Sequence, residues 1–272
     1  MPELPEVETT RAGLLPALQG AIIKEVIVRC SRLRWPIPEH FAMNLANKRI
    51  QYLTRRAKYL LMHLDNGTVL MHLGMSGHLR LLVPNAVAQK HDHVDIIFNN
   101  KIMMRYTDPR RFGALLWCAG DPLAHPLLKN LGVEPLTDDF TTEYLLHCAA
   151  KRKQAIKAFI MDSKIVVGVG NIYAAEALFL SGIHPQMPAL SLSYTQAFSL
   201  VSAIKQVLKA AIAKGGTTLK DFVNSEGRPG YFTQALQVYG RKGLPCTQCF
   251  TVLQSYKQGQ RATVFCPNCQ QR

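Results

Sequence analysis

Cys246 and Cys249, then Cys266 and Cys269, form two Cys-x-x-Cys turns with 16 residues between them. Each turn offers two thiolates to one edge of a tetrahedron, and bringing the turns together closes a shell around zinc. Four sulfur ligands leave the metal no open position, so its expected role is to hold a zinc ribbon together, away from any substrate. A redox dithiol pair or disulfides would be the competing use of these sulfurs, and neither suits a reducing compartment. The stretch FTVLQSYKQGQRATVF (250–265) reads as a hairpin and carries Lys257, Gln260 and Arg261, side chains suited to phosphate. At the other end the chain begins Met-Pro-Glu. Removal of Met1, which a small second residue favours, would leave Pro2 with a free secondary amine; with Met1 kept, the same nitrogen is an inert amide. VVGVGNIY (166–173) has Gly168 and Gly170, but Tyr173 stands where a dinucleotide loop needs its third glycine and no βαβ unit surrounds it. No nucleotide or redox cofactor is expected; a turn before a helix N-terminus remains, whose amides can hold phosphate. KHDHVD (90–95) puts His91, His93 and Asp95 on one face of a strand. Lacking a fourth ligand, that trio reads as phosphate contact or strand polarity and not as a metal site.

Composition narrows the partner. Lys and Arg number 32 against 18 Asp and Glu, a formal charge of +14, which points to a polyanion. Residues 1–10 carry three glutamates and no apolar segment, and no apolar run approaches the ~18 residues of a bilayer span. A cytoplasmic protein with no membrane partner is expected. Cys30, Cys118 and Cys148 lie among apolar or small neighbours and are expected to be structurally inert.

The elements that must position these groups follow from periodicity. Residues 5–15 read as a helix, with Pro5 in the first turn, Glu6 and Glu8 at its positive end, and Pro16 with Gly20 stopping or kinking it. Residues 22–117 read as β, with hairpin turns at Asn66-Gly67 and Asn99-Asn100, a pattern of sandwich or barrel. LGVEPLTDDF (131–140) is a linker. Helical periodicity covers 141–161, 171–181 and 194–213. Gly215-Gly216 ends the last helix, Thr217 or Thr218 can cap a short one through Phe222, and NSEGRPGYF (224–232) is turn-rich.

Taken together the motifs resemble one family, bacterial formamidopyrimidine-DNA glycosylase, over nearly the whole chain. The resemblance rests on PELPEVET (2–9), RRAKYLL (55–61), HLGMSGHLR (72–80), KHDHVD (90–95) and YTDPRRFG (106–113). It continues through VVGVGNIYA (166–174), GGTTLKDF (215–222), GRPGYF (227–232), QVYGRKGLPC (237–246) and QRATVFCPNCQ (260–270). It implies an α+β chain in three parts. An N-terminal β-sandwich with its helix spans 1–131, a helix-two-turn-helix domain spans 132–236 with a lesion-reading loop at 224–232, and a zinc ribbon spans 237–272. It further implies a monomer acting on double-stranded DNA that contains oxidised purines or abasic sites, in the bacterial cytoplasm and on the nucleoid, with one structural zinc.

The resemblance also assigns residues. Pro2 is implied as the nucleophile that attacks C1′ of the lesion's deoxyribose. A generic α-amine titrates near ~7.7–8.0 against ~10.4 for lysine, so roughly one in ten is neutral at pH 7. A prolyl amine is somewhat more basic, and its place before a helix start helps, because the positive dipole end disfavours an ammonium. Its iminium is charged without protonation, which acidifies the 2′ hydrogen and drives β- and then δ-elimination. Glu3 is implied as general acid, with Glu6 in support; Lys58, on a strand, as a phosphate and lesion contact aiding β-elimination; and Arg261 in δ-elimination. Met75, Arg110 and Phe112 are implied as the triad that fills the gap left by an everted base, Arg110 holding the orphaned cytosine. His91, Arg152, Lys153, Lys157, Asn171 and Tyr173 are implied as phosphate contacts. Two alternatives carry less of the sequence. An endonuclease VIII-like specificity for oxidised pyrimidines is disfavoured by Leu4, the DPRRFG stretch and the 224–232 loop. A non-catalytic zinc-ribbon DNA-binding protein is disfavoured by the intact Pro2, Glu3, Lys58 and Arg261.

Overall fold

A computed structural model of the chain describes residues 2–217 and 235–271; the loop expected at 224–232 and the short helix expected beyond Thr218 lie outside them. The described residues fall into two compact units. One holds the chain through Lys129 together with 214–217, and the other holds Asn130–Ala213 together with 235–271. In this grouping 214–217 sides with the N-terminal unit, and the cysteine-rich tail packs with the helices.

In the first unit, helix α1 (Leu4–Leu18) starts at a reciprocal cap. The Glu3 side chain accepts from the backbone N–H of Glu6, and the Glu6 side chain accepts from that of Glu3. The helix runs past Pro16 to Leu18, just before Gly20. Proline forfeits one hydrogen bond there, yet Leu14 and Leu18 are fully buried and hold the last turn on the core. Eight antiparallel strands follow, with the short helix α2 (Phe41–Leu45) between the first two: β1 (Ile23–Val28), β2 (Ile50–Arg56), β3 (Tyr59–Leu64), β4 (Gly67–His72), β5 (His78–Leu82), β6 (Asp92–Phe98), β7 (Met103–Thr107) and β8 (Ala114–Cys118). They form two four-stranded sheets, ordered β1-β6-β7-β5 and β2-β3-β4-β8. Alternate residues of both sheets, among them Ile23, Leu53, Met62, Val69, Ile96, Met104 and Leu115, share one core with Leu14 and Leu18. The expected sandwich is present.

Two turns repay attention. Leu64 pairs with Gly67, so the two-residue turn is Asp65-Asn66, one position earlier than expected. Gly67 opens β4 because a Cβ there would lie 2.5 Å from the Cys118 carbonyl oxygen and 2.6 Å from the Trp117 ring. Arg56 pairs with Tyr59, which leaves Ala57 and Lys58 as a two-residue turn. Ala57 adopts φ 55°, a left-handed conformation that costs a non-glycine residue roughly 1–2 kcal/mol. Lys58 thus sits on a hairpin tip and not in a strand, a correction to the expectation.

The second unit contains α3 (Thr142–Ala149), α4 (Ile156–Ile160), α5 (Asn171–Leu180) and α6 (Tyr194–Ala213). Thr141 caps α3 by accepting from the Tyr144 N–H. The single helix expected over 141–161 is broken. Three consecutive side chains, Lys151, Arg152 and Lys153, project outward, and the Ile156 N–H leaves the helical pattern to donate to the Met187 carbonyl at 2.7 Å. Strands β9 (Gln254–Gln258) and β10 (Arg261–Phe265) form the expected hairpin, turning at Gly259 and Gln260 with φ 51° and 65°. Its sulfur-rich base shares a small core with Ala175 and Phe179 of α5. Among the described residues no helix is long and apolar enough to cross a membrane.

Candidate active site and nucleic-acid interface

The N-terminal unit fixes the groups expected to do chemistry. Pro2 and Glu3 are buried at the positive end of α1. Glu6, 2% exposed, holds them with both carboxylate oxygens: Oε2 accepts the Glu3 N–H and Oε1 accepts the Thr217 N–H, each at 2.8 Å. The turn carrying Lys58 is braced from beneath. Arg55 donates to the Ala57 carbonyl at 2.9 Å and pairs with Glu8 at 3.1 Å, while Glu8 also pairs with Arg11. Helix α1 and the Lys58 turn are thereby tied through one carboxylate.

His72, at the end of β4, reports the local field. Burial chiefly, then the positive charges of Lys58 and Arg34, push its pKa down to about 4 against an opposing pull from Asp108. Its Nδ1 accepts the Gly74 N–H at 3.0 Å, so the neutral ring carries its proton on Nε2. A recess of about 610 Å³ is lined by Arg32, Leu33, Arg34, Arg110, Arg111 and Phe112. Among the described residues none of these four arginines joins an ion pair, whereas Arg11, Arg29, Arg55, Arg80 and Arg105 do. Unpaired guanidiniums crowded into a recess repel one another and await an anion.

Met75 and Phe112 are exposed, at 38% and 42%, and the Arg110 guanidinium lies 4.8 Å above the Phe112 ring. The expected wedge trio is therefore at the surface, on the loops after β4 and β7. His91 is half-buried, with its carbonyl accepting from the Asp108 N–H. The rest of KHDHVD is committed elsewhere. His93 Nε2 meets the Asp108 carbonyl at 2.8 Å, and Asp95 binds both Arg105 and Arg29. Burial would raise the Asp95 carboxyl, but hydrogen bonds from the two arginines outweigh it and hold the pKa low. Those contacts, not a metal, explain the spacing.

In the second unit, Lys157, Asn171 and Arg261 line a recess of about 250 Å³ together with Asp162, Gln258 and Gly259. Arg261 is exposed at the hairpin tip. Two expected phosphate contacts are placed differently. Lys157 is 2% exposed, and its Nζ donates to Asn171 Oδ1 at 2.7 Å, Thr263 Oγ1 at 2.7 Å and the Ala262 carbonyl at 3.3 Å. It fixes Asn171 against β10 and is not a free surface cation. Tyr173, in the first turn of α5, is 1% exposed and so is buried away from the surface. Arg152 and Lys153 are exposed as expected. Gly170 caps α5 with Asn171 as its first residue, so the helix N-terminus opens beside the Lys157 and Arg261 charges.

The four sulfurs of Cys246, Cys249, Cys266 and Cys269 lie within 4.8 Å of one another, with 3.9 Å between Cys246 and Cys269 and 3.4 Å between Cys249 and Cys266. A tetrahedral site with Zn–S bonds of ~2.3 Å has edges of about 3.8 Å. The residues fit one structural zinc. The Gln248 and Cys269 N–H groups point at the Cys246 and Cys266 sulfurs, each at 3.4 Å, as suits thiolates. Glu176 of α5 anchors the ribbon by accepting from the N–H groups of Gln237, Val238 and Tyr239. Cys30, Cys118 and Cys148, expected to be inert, are half-buried and outside this cluster.

Comparison with known proteins agrees with this geometry along the whole chain. Residues 1–115 match the formamidopyrimidine-DNA glycosylase N-terminal domain, 131–223 that enzyme's H2TH domain, and 243–272 the zinc finger found in FPG and IleRS. The chain belongs to the formamidopyrimidine-DNA glycosylase family. A formamidopyrimidine-DNA glycosylase of Pseudomonas putida is 56% identical over 270 residues, covering 99% of this chain and 100% of that one. A Lactococcus lactis family member in complex with Fapy-dG-containing DNA superposes with a TM-score of 0.93 at 33% identity, covering both chains fully. The same organism's protein bound to DNA with an abasic site gives 0.91 at 33% identity over 99% and 100% of the chains. Family resemblance, read from motifs, assigned roles to Pro2, Lys58 and Arg261 but none to Arg32, Arg34, His72 or Asp108, although the last two lie within HLGMSGHLR and YTDPRRFG. Alternating arginines in CSRLRWP (30–36) were a signal for the first two, but nothing local marks the others.

Proposed function

We propose that this protein is a bifunctional DNA glycosylase and abasic-site lyase of base-excision repair, excising oxidised purines such as 8-oxoguanine and formamidopyrimidines from duplex DNA. The observation that carries the reading is the immobilised N-terminus: Glu6 grips the backbone on which Pro2 and Glu3 are presented at a helix start, in a chain that matches the family end to end. With Met1 removed, the neutral Pro2 amine adds to C1′, the damaged base departs, and the sugar ring opens as Glu3 gives a proton to its oxygen. The resulting iminium withdraws electrons from C2′. Loss of a 2′ proton expels the 3′ phosphate, and a second elimination expels the 5′ phosphate. Lys58, on its braced turn, supports the first elimination by neutralising phosphate, and Arg261 the second. Met75, Arg110 and Phe112 fill the vacated stack. His91, Arg152, Lys153 and Asn171 hold backbone phosphates, Lys157 acts by orienting Asn171, and the arginine recess adds positive field. The three-part division of the chain is its functional division. The zinc held by the four cysteines shapes the ribbon that presents Arg261. The protein acts in the bacterial cytoplasm, on the nucleoid.

Borohydride trapping on a duplex with one 8-oxoguanine tests this directly. A covalent adduct whose mass places deoxyribose on Pro2 is expected. Absence of an adduct, or an adduct in protein that retains Met1, would overturn the chemistry; faster excision of thymine glycol would reassign the specificity to oxidised pyrimidines.

A further inference from the structure

We infer that Asp108 is the positioning residue of the wedge, its buried carboxylate welding the Met75 loop and the Arg110–Phe112 loop into one stiff body. The inference rests on the reading of Met75, Arg110 and Phe112 as the inserted trio. Asp108 is fully buried in a loop otherwise exposed from Pro109 to Phe112. Its Oδ1 accepts from Ser76 Oγ at 3.0 Å and from the Arg110 N–H at 3.3 Å. Its Oδ2 accepts from the Gly113 N–H at 2.8 Å and from Tyr106 Oη at 3.0 Å. One carboxylate therefore bonds the residue after Met75, the residue bearing the orphan-base guanidinium, and the residue after Phe112. Burial and the adjacent negative charge keep the Tyr106 phenol protonated, so that hydroxyl donates.

Close packing repeats the same join. A Cβ on Gly74 would lie 2.5 Å from the Gly113 nitrogen and the Phe112 carbonyl carbon; one on Gly113 would lie 1.8 Å from the Tyr106 hydroxyl and 2.5 Å from the His72 carbonyl oxygen. Two loops in such contact, with no side chain between them, move together or not at all. Stiffness matters here because pushing a base out of the stack breaks its stacking and pairing, which the wedge must offset. A loose wedge would lose part of that offset in ordering its own loops. Asp108 touches no reacting atom in this scheme, so its effect should fall on base extrusion and spare the lyase steps.

The test compares two substrates. Asp108→Asn keeps the shape but must turn its NH2 toward one of two backbone N–H groups, that of Gly113 or that of Arg110. Single-turnover excision of 8-oxoguanine from duplex DNA should fall by about 10- to 100-fold, the loss expected for a charged hydrogen bond. Strand cleavage at an abasic site in single-stranded DNA, which needs no extrusion, should change by less than about threefold. In a Met75→Ala background, where the wedge is already blunted, Asp108→Asn should cost much less. The pair Ser76→Ala and Tyr106→Phe removes two donors without altering charge and should reproduce the selective loss if Asp108→Asn folds poorly. Equal losses on both substrates, or full additivity with Met75→Ala, would make Asp108 merely structural and overturn the inference. A Met75→Ala or Phe112→Ala variant that excises normally would instead sink the wedge reading, and the inference with it.

Discussion

Glu6→Gln is the isosteric change to which this site should be least tolerant. Wild-type Glu6 accepts two backbone N–H bonds of 2.8 Å, from Glu3 and from Thr217, at 2% exposure. Glutamine keeps one oxygen for one donor and must turn its NH2 toward the other. The retained bond loses its charge assistance, and the second N–H is left buried against another donor. A hydrogen bond to a charged group contributes about 1.5–3 kcal/mol, and an orphaned buried amide costs about 1–3 kcal/mol. The sum is about 2.5–6 kcal/mol, well above the ~0.3–1 kcal/mol from removing a negative charge at a helix N-terminus. The loss falls on the backbone that presents Pro2, so chemistry should suffer with stability. Urea unfolding and single-turnover borohydride trapping on an 8-oxoguanine duplex would read both. Glu6→Gln should lower stability by about 2.5–6 kcal/mol and slow trapping at least tenfold. A variant within 0.5 kcal/mol of wild type that traps at full rate would refute the claim that this carboxylate holds the nucleophile in place.

Other consequences are equally open to measurement. The unfolded chain protonates His72 near pH 6.5, whereas the folded ring resists until about 4. Between those values acid favours the unfolded state, so stability should fall by up to about 3 kcal/mol as pH drops through that window. His72→Asn, which can still accept from Gly74, should flatten this slope in urea midpoints taken at pH 7 and 4.5; an unchanged slope would argue against it. Chelation should release one zinc per chain, raise amide exchange along 261–265 and 237–239, and weaken DNA binding. Metal-free protein with undiminished DNA affinity would show that the ribbon does not depend on its four sulfurs.

Some features were legible because their signal is local. The two Cys-x-x-Cys turns announce a closed metal site by spacing alone, and β9 and β10 assemble the sulfurs as the spacing requires. Strand alternation revealed the sandwich, although the turn at Asp65-Asn66 moved by one residue because Gly67 is demanded by the Trp117 ring and not by the turn. The helix over 141–161 was overextended because its break is set by a bond from Ile156 to Met187, 31 residues away, which periodicity cannot register.

The amino-acid order by itself determined the family, the metal ligands, the positive charge and the presence of an imino acid at position 2, since each is a property of residue type or short spacing. The tertiary structure decided which charges are available and which are spent. Lys157 reads like any phosphate-binding lysine, yet folding encloses its ammonium among Asn171, Ala262 and Thr263, while Arg32 and Arg34 line a recess beside Phe112 with no ion pair among the described residues. It also joined Glu6 to Thr217 and Asp108 to Ser76, partners 211 and 32 residues apart. Hydrogen bonds over such separations depend on where the whole chain places its backbone, and no local pattern encodes that.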